Sequence, residues 1–233
     1  EQTLLAVNVS DNRILQITPS RVELLDVANG TAVASWKPPN NGSITAGSAN
    51  RTFALVAIDG KVLISLDIRS NLSEAARQYV TDHEQVACVN VPNEYDVGLV
   101  GFWQSGSISL LGLADLKLIQ GEKVRTPDSA AVPRSIVMTQ ILPIEVAGPT
   151  MLVGMSDGII LTFAVDKETF SLSGRKSIML GVQQATFEVI PRGDGECNVF
   201  AICEHSSLIY SSEGRIVYSA VTAENAACIC LFD

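Results

Sequence analysis

The segment Phe53-Ala54-Leu55-Val56-Ala57-Ile58-Asp59-Gly60-Lys61-Val62-Leu63-Ile64-Ser65-Leu66-Asp67 reads as a hairpin of two short apolar strands around a tight polar turn. Asp-Gly tolerates the positive φ that such turns require. Four other segments repeat the opening strand: Leu4-Leu5-Ala6-Val7, Gly98-Leu99-Val100-Gly101, Met151-Leu152-Val153-Gly154 and Val199-Phe200-Ala201-Ile202. With Phe53 included, the starts lie 49, 45, 53 and 48 residues apart. Turns follow at Asp11-Asn12, Ser105-Gly106, Asp157-Gly158 and His205-Ser206, with partner strands from Ile14, Val62, Ser107, Ile159 and Leu208. A third strand slot lies near Val22, Ala75, Lys117, Lys176 and Ile216, and a fourth near Ile44, Val86, Ser135, Thr186 and Ala227.

Four short antiparallel strands at this period make the blade of a β-propeller, so the chain is expected to be all-β. Blades stack face to face, which explains continuous apolar runs such as Ile159-Ile160-Leu161 in place of alternation. Asn71-Leu72-Ser73-Glu74 resembles a helix capping box, but the period assigns it to an outer strand. The expected repeat units are 1–43, 44–85, 86–134, 135–184 and 185–233, one propeller domain throughout. On this count the chain opens on the second strand of one blade, with three strands before Ile44, and closes on the first strand of another. Either a five-bladed ring closes by pairing 226–232 with 3–9, or the chain is a slice of a larger ring.

Composition narrows the function. With 47% hydrophobic and 18% charged residues over 233, the chain is expected to fold around a substantial core. Sixteen basic against 25 acidic residues give a net charge of −9, so strong nucleic-acid binding by this segment is not expected. No apolar run approaches 18 residues, which argues against a membrane helix, and Glu1-Gln2-Thr3 offers no basic start for a signal peptide. Cys88, Cys197, Cys203, Cys228 and Cys230 sit inside apolar runs, as reduced buried thiols of an intracellular protein do. The Asn-x-Ser/Thr triplets at Asn8, Asn41, Asn50 and Asn71 then read as loop composition.

Catalytic groupings are scarce. His83 and His205 stand apart in expected loops, and Cys228-Ile229-Cys230 points its sulfurs to opposite strand faces. Asp59 and Asp157 are explained by their turns, and Arg192-Gly193-Asp194 by a loop. Among the expected innermost strands only Glu188 supplies a carboxylate, too little for a propeller hydrolase or lyase with a metal in its channel. The reading is a non-enzyme without cofactor or metal. Recognition chemistry remains. Antiparallel connectivity places His83-Glu84-Gln85, ahead of Val86, on the same propeller face as Phe102-Trp103-Gln104 in a second-to-third turn. Trp103 is there either a packing plug or a partner contact. So is Trp36, expected in the stiff connection Ser35-Trp36-Lys37-Pro38-Pro39 between blades on that face.

Several stretches resemble the DNA damage-binding protein 1 family. They are Leu15-Gln16-Ile17-Thr18 with Ser20-Arg21-Val22, Ser35-Trp36-Lys37-Pro38-Pro39, Val86-Ala87-Cys88, and Pro133-Arg134-Ser135-Ile136-Val137-Met138-Thr139. Asn198-Val199-Phe200-Ala201 leading to Ile209-Tyr210-Ser211-Ser212 completes the series, in the family's order. The match falls in the second propeller, which in that family grips the cullin scaffold of a ubiquitin ligase. The resemblance implies a slice of a seven-bladed ring, and a scaffold acting in DNA repair and protein degradation in the nucleus and also the cytoplasm. Its partners would be a cullin, the adaptor's other propellers and substrate-receptor proteins. Trp103 matches a position on the cullin-binding face, with Gln85 and Glu84 beside it. The family has Glu immediately before Val-Ala-Cys; here Gln85 stands there and Glu84 one residue earlier, which shifts or removes a charged contact. The same superfamily includes scaffold subunits of the splicing factor 3b and cleavage and polyadenylation complexes, the alternative setting.

Overall fold

The computed structural model describes residues 2–143, 145–192, 195–204, 206–210 and 216–221. They form five four-stranded antiparallel sheets, each a simple meander in chain order. The first comprises β1 (Leu5–Ser10), β2 (Arg13–Thr18), β3 (Arg21–Asp26) and β4 (Ala32–Trp36); the second β5 (Ile44–Ala49), β6 (Phe53–Ile58), β7 (Val62–Asp67) and β8 (Ser73–Tyr79). The third holds β9 (Val86–Asn90), β10 (Val97–Phe102), β11 (Ser107–Gly112) and β12 (Leu118–Lys123). The fourth holds β13 (Pro133–Thr139), β14 (Thr150–Met155), β15 (Ile159–Val165) and β16 (Leu172–Met179), and the fifth β17 (Thr186–Pro191), β18 (Cys197–Cys203), β19 (Ser206–Tyr210) and β20 (Ile216–Val221).

Burial follows strand rank. On β6 and β7, Ala54 to Ala57 and Leu63 to Leu66 are buried on both faces, as strands sandwiched between sheets must be. The fourth strands β8, β12 and β16 are largely exposed. The hairpin turn at 59–60 places Asp59 (φ 51°) and Gly60 (φ 65°) in the left-handed region, and the Lys61 amide donates to the Ile58 carbonyl at 2.8 Å. The capping-box look-alike is a strand entry. Asn71 and Leu72 take positive φ, Leu72 is buried, and Ser73 begins β8.

The first repeat differs from the sequence expectation. Four strands, not three, precede Ile44, because β4 pairs with β3 through Val22↔Trp36 and Leu24↔Ala34. Its Ala-Val-Ala run is short, of small side chains and mostly exposed, unlike the buried runs of the inner strands that mark the repeat in the sequence. The chain therefore opens on a first strand, β1, which neighbours β5 as β5 neighbours β9. Trp36 is the last residue of a strand and not part of a connection. The expected terminal strand at 226–232, with Cys228 and Cys230, lies outside the described residues, as do His205, Gly193 and Asp194.

Two compact units divide the chain, one of residues 1–104 with 109–119 and the other of 105–108 with 120–233. In the first, Leu15, Ile17, Val56, Ile64 and Leu66 form one core cluster and Leu55, Leu63, Val100 and Leu113 another. In the second, Val137, Leu152, Ile160, Val199 and Ala201 pack together. There the Ser135 hydroxyl donates to the Ala185 carbonyl, linking β13 to the start of β17.

Candidate docking corner

The corner forms where the β8–β9 connection meets the end of β10. Strand β9 enters its sheet beside the Asp59-Gly60 turn, because the Val86 amide donates to the Gly60 carbonyl at 2.9 Å. A Cβ added to Gly60 would lie 2.6 Å from Gln85 Cγ, so only glycine leaves room for the Gln85 stem across the turn. Lys61 Nζ reaches the carbonyls of Asp82 at 3.0 Å and Glu84 at 2.5 Å, and so holds the approach from below.

Glu84 faces inward. Its Oε1 accepts the Gln85 amide at 3.0 Å and the Gln104 amide at 2.9 Å, tying the entry of β9 to the turn after β10. A charged acceptor on backbone amides gives a strong hydrogen bond. The β9–β10 ladder runs on past Phe102↔Val86, where the Trp103 amide donates to the Gln85 carbonyl at 2.8 Å. Ala87, just past the point where Glu84 and Gln85 lead into the strand, is the extra residue of a bulge in that register. On this stitched backbone Trp103 is 44% exposed, an aromatic partly packed and partly presented to solvent. Gln85 and His83 are exposed, and Glu84 is half-buried.

Of the residues singled out in sequence, the fold brings Glu84, Gln85 and Trp103 together. Trp36 belongs elsewhere: half-buried against the core of the first sheet, it donates Nε1 to Glu74 Oε1 at 3.2 Å on β8. Glu74 in turn holds Arg77 through both oxygens at 2.8 Å, and this pairing raises the Arg77 pKa above its ordinary value. Trp36 thus packs between two outer strands. Lys61 was not legible as part of the corner, since nothing in the sequence marks a lysine that reaches two main-chain carbonyls.

Groups for catalysis are not assembled among the described residues. None of them gathers three potential metal ligands. Glu188, on β17, has its carboxyl pushed up by burial. Cys88, Cys197 and Cys203 are buried thiols, and Cys203 donates to the Gln183 carbonyl at 2.9 Å. No helix among the described residues is long and apolar enough to cross a membrane.

Comparison with known proteins agrees with this architecture. DNA damage-binding protein 1 of Oryza sativa is 27% identical over 238 residues, covering 100% of this chain and 21% of that protein. The protein of that name from Drosophila melanogaster is 30% identical over 235 residues, covering 98% and 20%. DNA damage-binding protein 1a of Arabidopsis thaliana is 26% identical over 238 residues. The chain spans about a fifth of the length of these relatives. The crystal structure of BamB from Moraxella catarrhalis shares the fold, with a TM-score of 0.62 at 14% identity over 94% of this chain and 64% of that one. The family model described as RSE1/DDB1/CPSF1 second beta-propeller matches residues 1–233, and the chain belongs to that family.

Proposed function

We propose that this segment is the docking propeller of a ubiquitin-ligase adaptor, and that it grips a cullin through the corner built by Glu84, Gln85 and Trp103. The observation that carries the reading is the half-exposed Trp103 indole on a corner whose backbone is stitched by one carboxylate. A rigid aromatic loses little conformational freedom on binding and brings much apolar area, which makes tryptophan a common interface anchor. Gln85 adds an uncharged rim contact. Glu84 acts through the backbone it holds. The whole-length likeness to DNA damage-binding proteins supports a role as scaffold, with no chemistry of its own. On this reading the segment works in DNA repair and regulated degradation, in the nucleus and the cytoplasm, beside the adaptor's other propellers and its substrate receptors.

Affinity purification of the full-length protein followed by mass spectrometry tests this. Recovery of a cullin with its ligase subunits is expected. Recovery of RNA-processing subunits with no cullin overturns the reading in favour of the alternative scaffold.

A further inference from the structure

A second surface lies far from that corner in sequence and wholly within the unit that contains residues 120–233. It is a cleft of about 380 Å³ between the β12–β13 connection and the strands β15 and β16. Its floor is apolar, with Val124, Met155 and Leu161 all buried. Its rim carries Arg125, Arg175 and Lys176 against a single carboxylate, Asp157. In a chain of net charge −9 this local excess of cations runs against the background.

The charges are held ready. Asp157 is engaged in its own hairpin, where its Oδ1 accepts the Ile159 amide at 3.3 Å. Arg175 donates Nη2 to the Val124 carbonyl at 2.6 Å and Nη1 to the Lys123 carbonyl at 3.4 Å, both neutral acceptors, so its position is fixed while its charge is not compensated by them. Lys176 makes no ion pair or side-chain hydrogen bond among the described residues. The backbone contributes as well. Phe163 on β15 faces two residues of β16, Gly174 (φ 62°) and Arg175, and a glycine in this conformation is the mark of a bulge that re-aims the next side chain. Strand β16 is also the edge of its sheet, where an extended chain can add main-chain hydrogen bonds.

We propose that this cleft binds an acidic linear segment of a partner protein, a carboxylate meeting Arg175 and Lys176 while an adjoining aliphatic side chain enters the cleft against half-buried Ile159. Charge complementarity selects this occupant, and size agrees. Ligand clefts span roughly 300–1,000 Å³, and one near the lower bound admits one or two side chains of an extended chain.

Fluorescence polarisation on the full-length protein tests the proposal with a labelled Glu-Glu-Leu-Glu-Glu peptide and its Gln-Gln-Leu-Gln-Gln counterpart. The acidic peptide is expected to saturate in the micromolar range and the amide peptide to bind about tenfold more weakly. Lys176→Glu is expected to cut acidic-peptide binding by about five- to tenfold with an unchanged melt, because Lys176 holds nothing in the folded protein. Equal binding of the two peptides, no saturation at about 1 mM, or indifference to Lys176→Glu overturns the proposal. So does a single-stranded oligonucleotide that binds more tightly than the acidic peptide and loses affinity in Lys176→Glu, an outcome that assigns the cleft to nucleic acid.

Discussion

Replacing Glu84 separates a carboxylate that touches a partner from one that holds the backbone. In Glu84→Ala the amides of Gln85 and Gln104 lose an acceptor at 3.0 and 2.9 Å. Hydrogen bonds to a charged group are worth about 1.5–3 kcal/mol each, but this side chain is half-buried and water recovers part, which leaves roughly 1–2 kcal/mol for the pair. Glu84→Gln keeps an oxygen in place and gives up only the charge, a loss of about 0.5 kcal/mol. Hydrogen exchange resolved at the Gln104 amide reads the difference. Its exchange is expected to accelerate roughly five- to thirtyfold in Glu84→Ala and about twofold in Glu84→Gln. On the proposed docking, cullin affinity is expected to follow the same order, with Glu84→Gln near wild type and Glu84→Ala clearly weaker. If both variants lose affinity equally and the Gln104 amide exchanges as in wild type, the carboxylate meets the partner itself and the stitching argument is wrong.

Gly158→Ala is expected to destabilise the chain by about 2–4 kcal/mol, visible as a lower urea midpoint at constant slope. At φ +80° the added Cβ would stand 2.3 Å from the Gly181 carbonyl oxygen, a backbone atom that cannot swing aside. Glu188→Gln is expected to gain stability over wild type only towards neutral pH. Burial raises the Glu188 carboxyl, so the folded chain keeps a proton that the unfolded chain has already released, and stability falls as pH rises from the ordinary glutamate range through the raised value. Melts across pH 4 to 8 would show the gain emerging through that window; a constant offset at every pH would contradict it. Gel-shift titrations of the segment with duplex DNA are expected to show no micromolar, salt-sensitive binding, given the net charge of −9.

The periodic hairpins were legible because each needs the same two things, apolar runs for burial on both faces and turn residues that accept positive φ. Asp59-Gly60 and the runs around it carry both signals, and the structure places strands where they point. Strand β4 has the turn signal, Asn29-Gly30 with Gly30 at φ 66°, but its apolar run Ala32-Val33-Ala34 is short, because an outer strand shows solvent one face; the sequence reading therefore puts Trp36 in a connection. Strand β8 shows the opposite conflict. Its helix-like Glu74-Ala75-Ala76-Arg77 is overruled by pairing with β7 through Ser65↔Ala76 and Ile64↔Arg77. At the corner, strand order sufficed to put Glu84, Gln85 and Trp103 together. The direction of the Glu84 carboxylate was not legible, since it depends on two amides, those of Gln85 and Gln104, that lie 19 residues apart in sequence.

Titration of the cullin against full-length Trp103→Ala, with a melt of the same sample, bears on the docking corner itself. At 44% exposure the indole leaves about 110 Å² to be covered by a partner, if a free tryptophan offers about 250 Å². At ~25 cal/mol per Å² that area is worth about 2.7 kcal/mol, close to a hundredfold in affinity. The packed remainder of the ring also supports the fold, so the variant is expected to melt earlier while the molecules still folded bind the cullin roughly a hundredfold more weakly. A Trp103→Ala protein that melts earlier yet binds the cullin as tightly as wild type would make the indole a packing plug and contradict the account.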